Sequence, residues 1–202
     1  MKKLKVNEIF YSLQGEGANT GLPVIFIRLS GCNKNCSFCD TDHNEGVEMD
    51  MNEIHSKLLD FSSCNKIIFT GGEPLLQLEK EHIQYLERAE YVVGLETNGT
   101  LPLYKGEVNL DFNYVSCSPK VSADVICQNF LNHEVNEFRY PLAKGQEPPD
   151  YKDLPMADNY FVSPICDGGT IIKENLDWCI AFCLSHPRWQ LSVQNHKLWK
   201  IK

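Results

Sequence analysis

Short runs of apolar, β-branched and aromatic residues, separated by loop signals, most constrain how this 202-residue chain can fold. Each run has the length and composition of a β-strand. The runs occupy residues 24–29, 67–70, 91–97, 114–117, 137–140, 159–162 and 190–193. Helical periodicity appears in residues 51–61, 75–90 and 172–184. Strands that alternate with helices favour a parallel α/β sheet or partial barrel. Some crossover helices are expected to be missing or degraded, because residues 99–114 and 120–134 lack a clear helical pattern.

Composition predicts a single domain over residues 1–202 and excludes several classes of protein. A hydrophobic fraction of 43% is ordinary for a globular domain of this length. No apolar run approaches the roughly 18 residues of a membrane span, and the basic start lacks the apolar core of a secretion signal. We therefore expect a cytoplasmic protein without membrane contact. A net charge of −8 argues against direct nucleic-acid binding.

Three of the nine cysteines, Cys32, Cys36 and Cys39, lie in one loop with C-x3-C-x2-C spacing. An odd cysteine count without an export signal does not fit a disulfide framework. Three thiolates can hold three irons of a [4Fe–4S] cluster and leave the fourth iron open to a ligand. The spacing therefore favours an iron–sulfur cluster with an open coordination position.

A structural zinc site is the alternative explanation, with His43 as the fourth ligand beside the three cysteines. The spacing disfavours zinc, because zinc ribbons and knuckles usually arrange their ligands in separate pairs, and no second pair follows. The other six cysteines are scattered, and we interpret them as reduced thiols without a role in chemistry. Cys166 is set apart from that group because it lies in a predicted loop at a strand end.

Unusual residues follow the predicted strands at the ends where α/β sheets bind ligands. Gly71-Gly72-Glu73-Pro74 follows the second strand, Thr97-Asn98-Gly99 the third and Ser118-Pro119-Lys120 the fourth. Together with the cysteine loop after the first strand, they predict one site at this edge of the sheet.

The cysteine loop and the Gly-Gly-Glu-Pro segment resemble those of radical S-adenosylmethionine (SAM) enzymes. More narrowly, the chain is similar to the 7-carboxy-7-deazaguanine synthase family. That likeness is carried by Leu-Gln-Gly-Glu-Gly at 13–17, Cys-Asp-Thr at 39–41, Glu-Thr-Asn-Gly-Thr at 96–100 and Val-Gln-Asn-His-Lys at 193–197. The resemblance implies a reduced TIM-like barrel of about six strands and three helices.

The resemblance also implies a carbon–nitrogen lyase of queuosine and 7-deazapurine biosynthesis. Cluster-bound SAM would be reductively cleaved to a 5′-deoxyadenosyl radical that takes the C6 hydrogen of 6-carboxy-5,6,7,8-tetrahydropterin. The ring would contract with help from Mg²⁺, ammonia would leave and 7-carboxy-7-deazaguanine would form. The family further implies a homodimer and a low-potential flavodoxin or ferredoxin as electron donor.

Site residues follow from the resemblance by position, and none of them is assigned as a catalytic acid or base, because the radical comes from SAM. Cluster ligands would be Cys32, Cys36 and Cys39, and the magnesium ligand would be Thr41. SAM contacts would come from Phe38, Cys39, Asp40, Gly71, Gly72, Glu73, Gly99, Ser118, Pro119, Lys120, Ser163, Pro164, Ile165 and Cys166. Substrate contacts would come from Leu13, Gln14, Gly15, Arg28, Glu96, Thr97 and His196, with Arg28 pairing to the substrate carboxylate.

A second radical SAM activity remains open at this stage. Activases of glycyl-radical enzymes share the cysteine spacing and the small barrel. The Leu-Gln-Gly-Glu-Gly and Glu-Thr-Asn-Gly-Thr segments argue against an activase.

Overall fold

A nine-stranded sheet forms the centre of the computed structural model, which describes residues 1–39 and 41–202. The strands are β1 (Leu4–Leu13), β2 (Pro23–Leu29), β3 (Val47–Met49), β4 (Lys66–Gly71), β5 (Val92–Thr97), β6 (Tyr104–Lys105), β7 (Val108–Asn109), β8 (Tyr114–Cys117), β9 (Val135–Leu142), β10 (Ala157–Pro164), β11 (Cys166–Asp167), β12 (Thr170–Ile171) and β13 (Trp189–Leu191). The helices are α1 (Met51–Leu58), α2 (Lys80–Arg88), α3 (Ala123–Asn129), α4 (Lys173–Ser185) and α5 (Asn195–Trp199). Single 3₁₀ turns span Leu59–Phe61, Pro74–Leu76 and Tyr151–Asp153.

The sheet order is β13-β10-β9-β8-β5-β4-β2-β1-β3. From β2 to β13 every neighbouring pair is parallel, and the strands follow one another in chain order. β1 and β3 extend this array with antiparallel pairing. A sheet wound in one direction is the arrangement of a partial barrel, and it brings the carboxyl ends of all seven parallel strands to one edge. The predicted α/β partial barrel is confirmed, with seven parallel strands where the resemblance implied about six.

All seven predicted strands are present in the sheet, whereas β1 and β3 were not predicted. β1 is ten residues long, but polar residues interrupt its apolar pattern at Asn7 and Glu8. Its register against β2 also shifts between Val6 and Glu8. The alternation of apolar and polar residues that identifies a strand is therefore interrupted in the middle of β1.

The three predicted helices correspond to α1, α2 and α4. Residues 75–90 do not form one continuous helix, because a 3₁₀ turn at Pro74–Leu76 ends before α2 begins at Lys80. Residues 120–134, where the sequence shows no clear helical pattern, contain the short helix α3, so this crossover helix is shortened and not missing. Its seven residues bury a single apolar side chain, Ile126, so they carry too little periodicity to be recognised. The stretch between β5 and β8 contains the β6–β7 hairpin instead of a crossover helix.

The main core lies between the sheet and the helices, and a smaller apolar cluster lies on the opposite face. β2 contributes to both, because its side chains alternate. Ile25, Ile27 and Leu29 join the main core, while Phe26 packs with Phe10, Val24 and Ile68 in the smaller cluster. Arg28 follows Phe26 on that second face, at the carboxyl end of the strand.

Among the helices of the described residues, none combines the length and the apolar character needed to cross a lipid bilayer.

Candidate functional site

A cavity of about 1110 Å³ opens at the carboxyl ends of the parallel strands. Pockets for a single small molecule usually measure about 300–1,000 Å³. The cavity is therefore large enough to hold a cofactor and a substrate together.

Most of the predicted site residues line this cavity. They are Leu13, Gln14, Gly15, Arg28, Cys32, Cys36, Phe38, Cys39, Thr41, Gly71, Gly72, Glu96, Thr97, Ser118, Lys120, Ser163, Pro164, Ile165, Cys166 and His196. Three predicted residues, Glu73, Gly99 and Pro119, are not among those that line it. Asp40, which was predicted to contact SAM, lies outside the described residues.

The cysteine loop forms one wall of the cavity. Cys32, Cys36 and Cys39 are free thiols that all line the cavity, and Cys39 is exposed. The backbone N–H of Cys39 donates to the carbonyl of Cys36 at 3.1 Å, which forms a tight turn between these two residues. Three accessible thiols on one short loop are a donor set that fits a [4Fe–4S] cluster.

The described residues do not group any three Cys, His, Asp or Glu side chains closely enough to hold a single metal ion. In a tetrahedral zinc site the Zn–S bonds measure about 2.3 Å, which would bring the sulfurs into mutual contact. A cluster spaces its thiolates more widely, because each sulfur binds a different iron. Cys32, Cys36, Cys39 and His43 are accordingly not grouped as a four-ligand zinc site in the part of the chain that the structure describes.

Gly71 and Gly72 let the loop after β4 pack directly against the start of the cysteine loop. A Cβ atom on Gly72 would lie 1.8 Å from the carbonyl oxygen of Gly31, and one on Gly71 would lie 2.2 Å from that of Leu29. Gly71 also has a φ of 117°, which side-chain-bearing residues rarely adopt. The backbone N–H of Glu73 donates to Gly31 at 2.9 Å and locks the two loops together.

The Glu73 side chain is fully buried beneath the cavity instead of facing it. Its carboxylate accepts hydrogen bonds from the backbone N–H groups of Leu75 and Asn98 and from the Thr97 hydroxyl, at 2.7–3.0 Å. Burial raises the pKa of Glu73, and these hydrogen bonds oppose that effect. Glu73 therefore joins the ends of β4 and β5, and its contact with the SAM amino group stays a prediction.

Arg139 on β9 is the centre of a charged network that sequence analysis missed. Its guanidinium is buried and lies 2.5 Å from a Glu16 oxygen, 2.7 Å from Glu96 and 3.0 Å from Glu137. Its Nε also donates to the Ser116 hydroxyl at 2.8 Å. The network connects β5, β8 and β9 to the loop after β1. The available signal was the pair Glu137 and Arg139, two charged residues with strand spacing inside a largely apolar run.

Glu96 lies at the cavity end of this network. Burial disfavours its ionised form, but Arg139 and the donors Thr70 and Gln14 outweigh burial and lower its pKa. Thr70 donates to one carboxylate oxygen at 2.7 Å and Gln14 to the other at 3.0 Å. The site therefore presents an ionised carboxylate held in one orientation.

Gly15, the neighbour of Gln14 in the chain, packs against α5. A Cβ atom on Gly15 would lie 2.1 Å from the His196 ring, so only glycine allows this approach. The Gly15 carbonyl accepts from the backbone N–H of Asn195 at 3.0 Å. The predicted substrate residues Gln14, Gly15, Glu96 and His196 are thus brought together.

Arg28 lies on a neighbouring part of the wall and is oriented by three contacts. Its Nε donates to Glu8 at 3.0 Å, its Nη1 donates to the Thr41 hydroxyl at 3.2 Å, and its guanidinium stacks 5.6 Å from the centre of the Phe10 ring. Burial favours the neutral form of Glu8, but Lys202 and Arg28 together lower its pKa. Arg28 is therefore a cation at the cavity surface whose orientation is fixed by its neighbours.

The wall formed by β8 and β10 contains polar groups suited to a ligand. The Ser163 hydroxyl is buried and has no hydrogen-bond partner among the described residues. The Lys120 ammonium donates to the Ser118 hydroxyl at 2.8 Å and lies 5.5 Å from the centre of the Phe38 ring. Burial lowers the pKa of Lys120, and negative charge at Cys36 opposes that effect. An unpaired hydroxyl and a cation that line the same cavity fit a polar cofactor such as SAM.

Comparison with known proteins identifies the family. Residues 26–136 match the model of the radical SAM superfamily. The chain is 39% identical to the 7-carboxy-7-deazaguanine synthase of Bacteroides thetaiotaomicron, over 98% of both chains. It is 32% identical to the synthase of that name from Burkholderia multivorans, over 97% of this chain and 98% of the relative.

A solved structure agrees with the fold. The crystal structure of QueE from Escherichia coli superposes with a TM-score of 0.70 and 23% identity, over 96% of this chain and 95% of that one. Membership of the radical SAM superfamily implies a [4Fe–4S] cluster and SAM as cofactors. From the cavity, its cysteine loop and these relatives, we conclude that the chain belongs to the 7-carboxy-7-deazaguanine synthase family of radical SAM enzymes.

Proposed function

We propose that this enzyme is a carbon–nitrogen lyase that converts 6-carboxy-5,6,7,8-tetrahydropterin to 7-carboxy-7-deazaguanine with loss of ammonia. The observation that carries the proposal is the arrangement of one cavity. The cysteine loop, the cation Arg28 and the ionised carboxylate Glu96 all line it. A substrate that bears both a carboxylate and a ring with N–H donors matches these two charged groups.

Arg28 would bind the substrate carboxylate. A guanidinium pairs with a carboxylate through two parallel hydrogen bonds, which fixes orientation as well as position. Glu8 holds Arg28 through Nε, and Thr41 accepts from Nη1. The remaining N–H groups of the guanidinium are those that would serve the substrate.

Glu96 and Gln14 would bind the amino-pyrimidinone ring of the substrate. A carboxylate accepts hydrogen bonds from adjacent ring N–H and amino groups, and the ordered Gln14 amide beside it adds a second polar contact. Leu13, Gly15, Thr97 and His196 complete the proposed substrate site. Because Arg139 keeps Glu96 ionised, the acceptor exists before the substrate arrives.

Cys32, Cys36 and Cys39 would hold the [4Fe–4S] cluster, and Ser118, Lys120 and residues 163–166 would contact SAM. When bound, the reduced cluster and SAM supply the radical that removes hydrogen from substrate carbon. The protein contributes position, because Gly72 fixes the cysteine loop against β4 while Arg28 and Glu96 hold the substrate.

Thr41 would supply a hydroxyl oxygen to Mg²⁺, with substrate oxygens and water completing the coordination. That hydroxyl lines the cavity and accepts from Arg28 at 3.2 Å. The cation would therefore share this corner with the substrate carboxylate, whose negative charge offsets the proximity of Arg28. We further propose a homodimer and a low-potential flavodoxin or ferredoxin as electron donor.

The proposal is tested by anaerobic reconstitution followed by reaction with reductant, SAM and the carboxytetrahydropterin. We expect about four irons and four sulfides per chain, and formation of 7-carboxy-7-deazaguanine with ammonia. Cys39→Ser should lose the cluster and the activity. Cys127→Ser, which removes an exposed thiol that does not line the cavity, should keep both. A wild-type enzyme that cleaves SAM but leaves the pterin unchanged would contradict the substrate assignment.

A further inference from the structure

Asn98, in the loop after β5, contacts one of the cluster cysteines through its side chain. Its Nδ2 lies 3.8 Å from the Cys32 sulfur and 3.0 Å from the Asn33 side-chain oxygen. A carboxamide nitrogen carries two N–H donors, so both acceptors can be served together. In the cluster-bound enzyme the Cys32 thiol is replaced by a thiolate, which is the stronger acceptor.

The orientation of the Asn98 amide is determined by its other end. The Oδ1 atom accepts from the Thr100 backbone N–H at 2.9 Å and from the Thr100 hydroxyl at 2.5 Å. Two donors at this atom identify it as the oxygen, so the nitrogen faces the sulfur. The same residue is anchored through its backbone N–H, which donates to buried Glu73 at 2.7 Å. The bonds from Thr100 and the backbone bond to Glu73 therefore hold the amide nitrogen towards Cys32.

We propose that the Asn98 amide donates a hydrogen bond to the Cys32 thiolate and thereby raises the reduction potential of the [4Fe–4S] cluster. Reduction adds one electron to the cluster from a low-potential one-electron donor, and no bond is broken. Because the reduced cluster carries more negative charge on its sulfurs, an N–H donor stabilises it more than the oxidised form. This inference rests on cluster ligation by Cys32 and is independent of the substrate.

The structure offers a matched control in Asn33. This residue links the same two loops, because it accepts from Asn98 and donates to the Thr100 hydroxyl at 2.7 Å. Asn33→Ala removes those links but keeps the Asn98 N–H that faces the sulfur. Asn98→Leu removes the N–H while preserving the shape of the side chain. Comparing Asn33→Ala with Asn98→Leu therefore distinguishes the effect of the hydrogen bond to sulfur from the effect of a shifted loop.

The test is a redox titration of the reconstituted, SAM-free enzyme, with the reduced cluster monitored by electron paramagnetic resonance. We expect Asn98→Ala and Asn98→Leu to shift the midpoint potential to more negative values, and Asn33→Ala to leave it unchanged. Iron and sulfide content is measured on every sample, and only chains with a complete cluster are compared.

A second measurement applies to the wild-type enzyme and does not depend on how well the variants load. The Fe–S(Cys) stretching bands in resonance Raman spectra should shift on transfer from H₂O to D₂O. In whichever Asn98 variant retains the cluster, that shift should be smaller. Unchanged potentials in both Asn98 variants would overturn the proposal. So would an Asn33→Ala shift as large as theirs, or wild-type bands that do not respond to D₂O.

Discussion

Arg139 shows how a single buried cation can organise one side of a cavity. Three carboxylates, from Glu16, Glu96 and Glu137, lie within 3.0 Å of its guanidinium nitrogens. The three carboxylates belong to three different segments of the chain, so the ion pairs fix the positions of these segments relative to one another. Without Arg139, three carboxylates would share a poorly solvated space, which is a costly arrangement.

Arg139→Met should therefore destabilise the fold strongly, because it removes the cation and leaves its partners buried. We expect a loss of about 3–5 kcal/mol in the free energy of unfolding, measured by urea denaturation. Arg88→Met provides the control, since Arg88 is exposed in the last turn of α2, and it should change stability by less than about 0.5 kcal/mol. Equal stability of the Arg139 variant and the wild-type enzyme would show that the network has no structural role.

Glu96 makes the stability of the fold depend on pH. Its pKa is lowered from the usual 4.5, so its ionised form stabilises the fold above pH 4.5. That contribution is lost as the pH falls from 4.5 through the lowered pKa. Glu96→Gln should cost about 1–3 kcal/mol at pH 7, and the difference from the wild-type enzyme should shrink below pH 4.5.

The measurement is the free energy of unfolding of both chains from pH 3 to pH 7 at constant ionic strength. Other carboxylates titrate in both proteins, so their contributions to the free energy of unfolding cancel in the difference between the two. A difference that grows as the pH falls would contradict the assigned direction of the Glu96 pKa shift.

At the scale of elements, the ends of β2, β4 and β5 form a single interlocked unit. Gly72 lies against Gly31, the Glu73 backbone N–H donates to Gly31, and the Glu73 side chain reaches Asn98. The position of the cysteine loop is therefore set by the loop after β4. Glycine is required at position 72 by backbone contact alone, whatever ligand the cavity holds.

Gly72→Ala tests this interlock. The added Cβ would lie 1.8 Å from the Gly31 carbonyl oxygen, so the cysteine loop must move. Displacement of about 1 Å at a reacting centre can cost about 100-fold in rate, and we expect a loss of that order in activity with reduced iron uptake. Gly94→Ala is the control, because a Cβ there meets its neighbours at 3.4 Å or more. Full iron uptake and activity in Gly72→Ala would refute the interlock.

Elements with strong periodicity were predictable from the sequence, and weakly patterned ones were not. The seven parallel strands are short apolar runs, and each was recognised. α3 escaped because a seven-residue helix with one buried apolar residue has no measurable period. In the site, the cysteine loop and the strand-end segments were recognised by local spacing. Arg139 was not recognised, because two of its three partner carboxylates are contributed by distant segments: Glu16 lies 123 residues away in the sequence and Glu96 lies 43 residues away.

At the scale of the whole molecule, chain order explains the composition of the cavity. Seven parallel strands that follow one another bring every strand-end loop to one edge. The residues before β2 and after β13 then close over that edge, because Gly17 donates to Ser192 at 2.9 Å and Asn195 donates to Gly15. The proposed substrate site thus lies where the first and last parts of the chain meet.

The central claim is that one cavity holds the radical source and the pterin together. The most direct measurement uses substrate deuterated at C6, incubated anaerobically with the reconstituted enzyme, reductant and SAM, and follows the label by mass spectrometry. We predict that deuterium appears in 5′-deoxyadenosine while 7-carboxy-7-deazaguanine accumulates. Formation of 5′-deoxyadenosine without deuterium, and without the deazaguanine product, would contradict the claim.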